Sequence, residues 1–183
     1  MNKKEIRQEI KQLKDCLTDN EKRQSANRVF KKITETELFH RAHNILLYNS
    51  LSDELFTKDV IHEWCKFKNI FLPRVNGDNL EILPYDANSL EKGSFNIYEP
   101  MGENTCDISI IDMIIVPAIA YDRNGNRIGR GKGYYDRLLQ KASALKIGVG
   151  YDFQLIPHID SEPHDIPVDI IVTPNNFINC RKK

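Results

Sequence analysis

Short apolar runs that alternate with helical stretches limit the folds open to this chain more than any other feature. Ile45-Leu46-Leu47-Tyr48, Ile70-Phe71-Leu72, Leu80-Glu81-Ile82-Leu83 and residues 113–116, 147–149 and 170–172 are each too short to be buried helices, while residues 57–67 and 134–144 carry helical spacing. Strands of this kind, separated by helices, predict a mostly parallel sheet covered on both sides. Ahead of them, Ile6, Ile10, Leu13 and Leu17 form a helical stripe over residues 3–17. Thr18-Asp19-Asn20-Glu21 then has the capping-box form that opens a second helix, to about Ile33. The expected fold is α/β: a three-layer open, mostly parallel sheet with helices on both faces, Rossmann-like in topology, with two N-terminal helices. The chain has 183 residues and no repeat or linker divides it, so residues 1–183 are expected to form one domain. Residues 86–107 are the least regular and predict a long loop within it.

Composition narrows the function classes. The 26 Lys and Arg balance the 26 Asp and Glu, so the chain as a whole does not attract nucleic acid or anionic membrane, and a charged partner must meet a local patch. The longest apolar run, around residues 113–120, is too short to span a bilayer, and the polar start Met1-Asn2-Lys3-Lys4-Glu5 does not resemble a signal peptide. A cytoplasmic location is expected, with no membrane partner. Cys16, Cys65, Cys106 and Cys180 form no C-x-x-C pair and read as reduced thiols.

The stretch with most chemistry runs from Pro117 to Arg137. It follows an apolar strand and leads into a helix, which places it at the carboxyl edge of the sheet, where α/β proteins bind ligands. Gly129, Gly131 and Gly133 permit close backbone approach, and Arg127, Arg130 and Lys132 bring three cations alongside. Such a loop suits a polyphosphate, although neither G-x-x-x-x-G-K-[ST] nor G-x-G-x-x-G is present. The bland alternative is a glycine turn with solvated charges. Residues 1–32 carry ten Lys or Arg against five Asp or Glu, with Lys3, Arg7 and Lys14 on roughly one helical face and Lys4 and Lys11 beside it. That face is either merely solvated, a second phosphate contact, or a nucleic-acid contact. Asp53-Glu54 follows a strand ending near Asn49-Ser50 and either binds a substrate amino group or, through Ser52-Asp53, caps the next helix. The carboxylates of Glu162-Pro163-His164-Asp165-Ile166-Pro167-Val168-Asp169 are placed to hold Mg²⁺ that escorts a nucleotide.

Arg127-Ile128-Gly129-Arg130-Gly131-Lys132-Gly133-Tyr134-Tyr135-Asp136 closely resembles the signature of the 5-formyltetrahydrofolate cyclo-ligase family. Residues 3–7, Asp53-Glu54, Phe71-Leu72-Pro73-Arg74, Asn96-Ile97-Tyr98-Glu99-Pro100 and His164-Asp165 with Asp169 are similar to further elements of that family in the same order. Phe95 and Tyr98 depart from its usual pocket residues. The resemblance implies ATP- and Mg²⁺-dependent conversion of 5-formyltetrahydrofolate to 5,10-methenyltetrahydrofolate through an N5-iminium phosphate, with ADP and phosphate released. It implies catalytic roles for Arg127, Arg130 and Lys132, and nucleotide contacts from Lys3, Lys4, Arg7, Gly129, Arg130, Gly131, Lys132, Gly133 and Tyr134. It assigns folate contacts to Asn49, Glu54, Tyr98, Tyr134 and Tyr135 and metal contacts to Asp136 and Asp165, in a protein expected to be monomeric. A sugar-phosphate or CoA-handling enzyme on a similar sheet and a nucleic-acid-binding module are the competing readings.

Overall fold

A computed structural model of the chain describes residues 2–93 and 98–181. The first helix, α1 (Lys3–Asp15), is capped by Asn2 and Glu5, and α2 (Asp19–Thr34) by the reciprocal Thr18 and Glu21 bonds that the sequence predicts. Both boxes satisfy amides that would otherwise end a helix unpaired. The buried stripe of α1 differs from the expected one. Ile6, Ile10 and Lys14, four residues apart, face inward, while Leu13 is 40% exposed.

The central sheet has seven strands in the order β11-β10-β9-β6-β1-β2-β3. Strands β1 (Asn44–Leu46), β2 (Asn69–Asn76), β6 (Met113–Pro117), β9 (Leu145–Val149) and β10 (Ile170–Val172) run parallel. The edges β3 (Asn79–Pro84) and β11 (Phe177–Asn179) are antiparallel. Successive side chains of the inner strands point to opposite faces, and both faces are apolar. On one face Ile45, Ile70, Met113, Ile115 and Ile147 pack against α2 and the short helices α3 (Glu37–Arg41) and α4 (Lys58–Trp64). Phe39 and Trp64, with ring centroids 4.5 Å apart, close this layer. On the other face Leu46, Phe71, Ile114 and Ile171 meet Leu138 and Leu139 of α5 (Tyr134–Gln140) and the ring of Tyr121. Each fully buried Ile or Leu in these layers is worth about 1.5–3 kcal/mol over its exposed state. The result is the expected open three-layer arrangement.

Two hairpins were not expected. Strands β7 (Ala120–Tyr121) and β8 (Arg127–Ile128) pair antiparallel between β6 and α5, and Ile119, Ala120 and Ile128 receive Ile6 and Ile10 of α1. Strands β4 (Leu90–Lys92) and β5 (Tyr98–Pro100) pair inside the segment read as a long loop. Phe95, Asn96 and Ile97 lie outside the described residues. Helix α5 ends at Gln140 and not near 144, because Ala144 already leads into β9 and joins the core there. Among the described residues the four cysteines are free, with the Cys180 thiol pushed up to about 11 by burial, and no helix is long and apolar enough to cross a membrane.

Candidate active site

The connection after β1 passes through α4 on one face of the sheet, and the connection after β6 passes through α5 on the other. These two neighbouring strands therefore part company at their carboxyl ends, leaving a crevice between the connections. A cleft of about 810 Å³ opens there, with Tyr48 and Asn49 beyond β1 and Pro117 and Ala118 at the end of β6 lining it. Residues 127–137 form one wall, Lys3 and Arg7 of α1 approach from the side, and Glu162 and Asp165 meet Lys3.

The glycine-rich wall is held from several directions. Gly131 and Gly133 adopt φ of 97° and 68°, left-handed conformations that strain any residue with a Cβ, and Gly133 is the N-cap of α5. Arg7 Nε donates to the Gly129 carbonyl at 2.9 Å, so α1 grips the loop. At the far end Arg137 donates to the carbonyls of Asp78 and Lys132 and lies over the Tyr134 ring, tying the loop to the β2–β3 turn. Nothing in the sequence patterning singled out Arg137. With only seven residues in α5, the anion-binding capacity of this wall lies in its cations more than in a helix dipole.

Those cations differ sharply. Arg127 is 5% exposed; its Nη2 donates to Asp136 Oδ1 at 2.5 Å and its Nε to the Ile166 carbonyl at 3.2 Å. For Arg127 the reading of a solvated loop charge does not hold: β8 pairs with β7 and the guanidinium turns inward. Arg130 reaches across the cleft, with Nη2 2.6 Å from Asp53 Oδ1 and 3.2 Å from Glu54 Oε1. Burial lowers its pKa, but Glu54 and Asp53 outweigh that and raise it overall. Lys132 is exposed, and among the described residues its ammonium has no partner.

Lys3 bridges Glu162 at 3.1 Å and Asp165 at 3.0 Å, and these bonds raise its pKa against the opposing effect of burial. A solvated basic face is thus overturned for Lys3, Arg7 and Lys14, each of which is engaged by the rest of the molecule, whereas Lys4 is exposed and does not line the cleft. Lys4 sits one residue off the docked face, so α1 turns it to solvent.

The acidic pair does not cap α4, whose N-cap is Thr57. Glu54 accepts the Leu51 amide at 2.9 Å as well as Arg130, and its carboxylate is 13% exposed in the cleft. Asn49 lies beside it and donates to the Tyr98 carbonyl at 3.1 Å. Tyr98 itself is 50% exposed and does not line the cleft, because alternation along β5 turns Glu99 inward in its place. Tyr134 and Tyr135 both line the cleft; burial keeps the Tyr135 hydroxyl protonated well beyond the usual tyrosine range.

For Mg²⁺ the donors are few. Asp136 is paired with Arg127, Asp165 accepts from Lys3 and the Glu162 amide, and among the described residues no cluster of three or more His, Cys, Asp or Glu side chains is placed to hold a metal. Two charge-compensated carboxylates suit Mg²⁺ that arrives with phosphate ligands of its own, which needs only one or two protein oxygens. Asp169 stands away from the cleft, accepting the Lys146 amide and pairing with Arg181.

The model of the 5-formyltetrahydrofolate cyclo-ligase family matches residues 1–174. The chain belongs to that family. It is similar to the 5-formyltetrahydrofolate cyclo-ligase of Haemophilus influenzae, at 30% identity over 181 residues covering 93% of this chain and 97% of that one. The mouse cyclo-ligase is 27% identical, over 93% and 92% of the two chains. The NMR structure of Aquifex aeolicus 5,10-methenyltetrahydrofolate synthetase superposes with a TM-score of 0.92 at 32% identity, covering 100% of this chain and 95% of that one. The Mycoplasma pneumoniae synthetase, at 24% identity and a TM-score of 0.78, shares the fold. A cyclo-ligase assignment makes the chain an enzyme and displaces the nucleic-acid, sugar-phosphate and CoA readings.

Proposed function

We propose that this cyclo-ligase converts 5-formyltetrahydrofolate to 5,10-methenyltetrahydrofolate with consumption of ATP, assisted by Mg²⁺, and release of ADP and phosphate. The observation that carries the reading is the charge layout of the cleft: Lys132, without a partner among the described residues, at one wall, and Glu54 with Asn49 at the base across from it. A formamide oxygen is a poor leaving group, and ATP supplies the phosphoryl group that makes it a good one. N10 then attacks the former formyl carbon, its proton is lost, and the carbon–oxygen bond to phosphate breaks.

The protein's share is alignment and charge neutralisation, since phosphoryl transfer asks for little covalent help. Lys132 and Arg130 neutralise the transferring phosphate, and Lys3 and Arg7 hold the rest of the nucleotide from α1. Arg127 sets the wall through Asp136 without needing to touch substrate. Glu54 accepts the N–H groups of the pterin, Asn49 orients beside it, and Tyr134 and Tyr135 supply the apolar wall. Asp136 and Asp165 are the carboxylates that would hold Mg²⁺, which screens the phosphate charge when bound.

Mixing the protein with Mg-ATP and 5-formyltetrahydrofolate should produce the methenyl chromophore, and omission of ATP should abolish it. A folded sample that forms neither chromophore nor ADP would sink the proposal.

A further inference from the structure

Lys14 is the one α1 residue of the buried stripe that is not apolar. Its side chain is 1% exposed, and its ammonium has no hydrogen-bond partner among the described residues. The nearest acid is Asp53, whose Oδ2 is 3.7 Å away. The other oxygen of that carboxylate accepts Arg130 at 2.6 Å. Asp53 therefore stands between two cations, one buried and one in the cleft wall.

For stability alone Lys14 is a poor choice. A buried, unbonded ammonium costs free energy, and an apolar side chain of similar length fills the same space without that cost. Its charge acts instead on the neighbouring pair. While Arg130 is bound to Asp53 and Glu54, the Lys14 charge opposes it. When Arg130 turns to an anion, Asp53 loses its direct donor, and Lys14, whose N–H groups are unused, is close enough to keep the carboxylate neutralised. Glu54 is released in the same movement.

We infer that Lys14 is a positioning residue: its buried ammonium is the counter-charge that frees Arg130 from Asp53 for an incoming nucleotide phosphate. The inference rests on the proposed function, in which Arg130 is a phosphate ligand. Without Lys14, the departure of Arg130 leaves a half-buried carboxylate with no cation, so phosphate must compete with a tighter Arg130–Asp53 pair.

The test is a double-mutant cycle read by equilibrium binding of Mg-ATP to the full chain, with thermal unfolding measured alongside. Lys14→Met is expected to bind ATP about tenfold more weakly, the scale of one charge-assisted hydrogen bond, while melting at or above the parent temperature. In an Arg130→Ala background the same change should alter affinity by less than about twofold, since the residue it acts through is gone. Lys14→Met with Asp53→Asn removes both charges and should return affinity to within about threefold of the parent. Unchanged ATP affinity in Lys14→Met, an equal loss in both backgrounds, or failure of the Asp53→Asn partner change to restore binding would each overturn the inference. So would a Lys14→Met protein that melts well below the parent, which would make the ammonium a stabilising group. If the parent itself does not bind ATP, it is the proposed function that fails, and this inference with it.

Discussion

Arg127 and Lys132 lie in one glycine-rich stretch and look equivalent as written, yet the fold gives them opposite circumstances. Arg127 belongs to β8, is buried, and spends its donors on Asp136 and Ile166; Lys132 sits between two left-handed glycines, exposed and, among the described residues, without a partner. A short hairpin between β6 and α5 makes the difference, because it commits the first cation to the scaffold and leaves the later one to the cleft. Charge in a flexible-looking loop is therefore not one resource. Its pairing decides whether it supports the wall or meets a ligand.

Arg127→Ala should have the largest effect on the scaffold. Removing one partner of a buried ion pair leaves the other uncompensated, so stability should fall by about 3–5 kcal/mol in denaturant unfolding. A midpoint equal to the parent's would put Arg127 back among the free loop cations. Lys132→Ala is the converse case. Turnover should drop on the order of a hundredfold with the unfolding midpoint unchanged, since no internal bond is lost; unaltered turnover would make this loop a structural turn only.

Glu54→Gln extends the contrast to the base of the cleft. A carboxylate receiving pterin N–H groups is worth roughly 1.5–3 kcal/mol, so the apparent constant for 5-formyltetrahydrofolate should rise about tenfold or more while that for ATP stays near the parent value. Intact folate binding with lowered stability would instead make Glu54 a support for Leu51 and Arg130. Replacing Lys3 and Arg7 by Ala should weaken ATP by about tenfold and folate less, because both cations approach from one face of α1. Equal weakening would mean that α1 had come loose from the loop it grips at Gly129.

The smallest effect concerns pH. Burial pushes the Asp53 carboxyl up, but Arg130 and Lys14 outweigh it, and at Asp165 the Glu162 amide and Lys3 do the same, leaving both below the usual 3.8. The unfolded chain then takes up protons first as pH falls past about 4. The stability these pairs contribute is present above that pH and is lost on descending to the folded values. Asp53→Asn should flatten the melting-temperature profile between about pH 5 and 3 relative to the parent; an unchanged slope would mean that Asp53 contributes nothing to this pH dependence.

Much of this was legible in the sequence where local rules act alone. The capping boxes, the inner strands and the position of the glycine stretch at a sheet edge depend on nearby residues and on period. The β7–β8 and β4–β5 hairpins were not legible, because two- and three-residue strands have no periodicity to detect. The spacing of Lys14 from Arg7 fits a basic face; its spacing from Ile6 and Ile10 fits the buried stripe equally well, and the choice between them shows only in three dimensions, where Lys14 is buried beside Asp53. The pairing of Arg127 with Asp136 was hidden for the same reason: sequence shows charges, and tertiary contacts show which are already spent.

If one cleft couples phosphoryl transfer to ring closure, ADP and the methenyl chromophore arise together. Both can be followed in a single reaction of the full chain with Mg-ATP and 5-formyltetrahydrofolate. The two should appear at one ADP per methenyl product, and both should fall together in Lys132→Ala. Methenyl product formed without ATP, or ADP released at the same rate when folate is absent, would mean that the cleft does not couple the two steps.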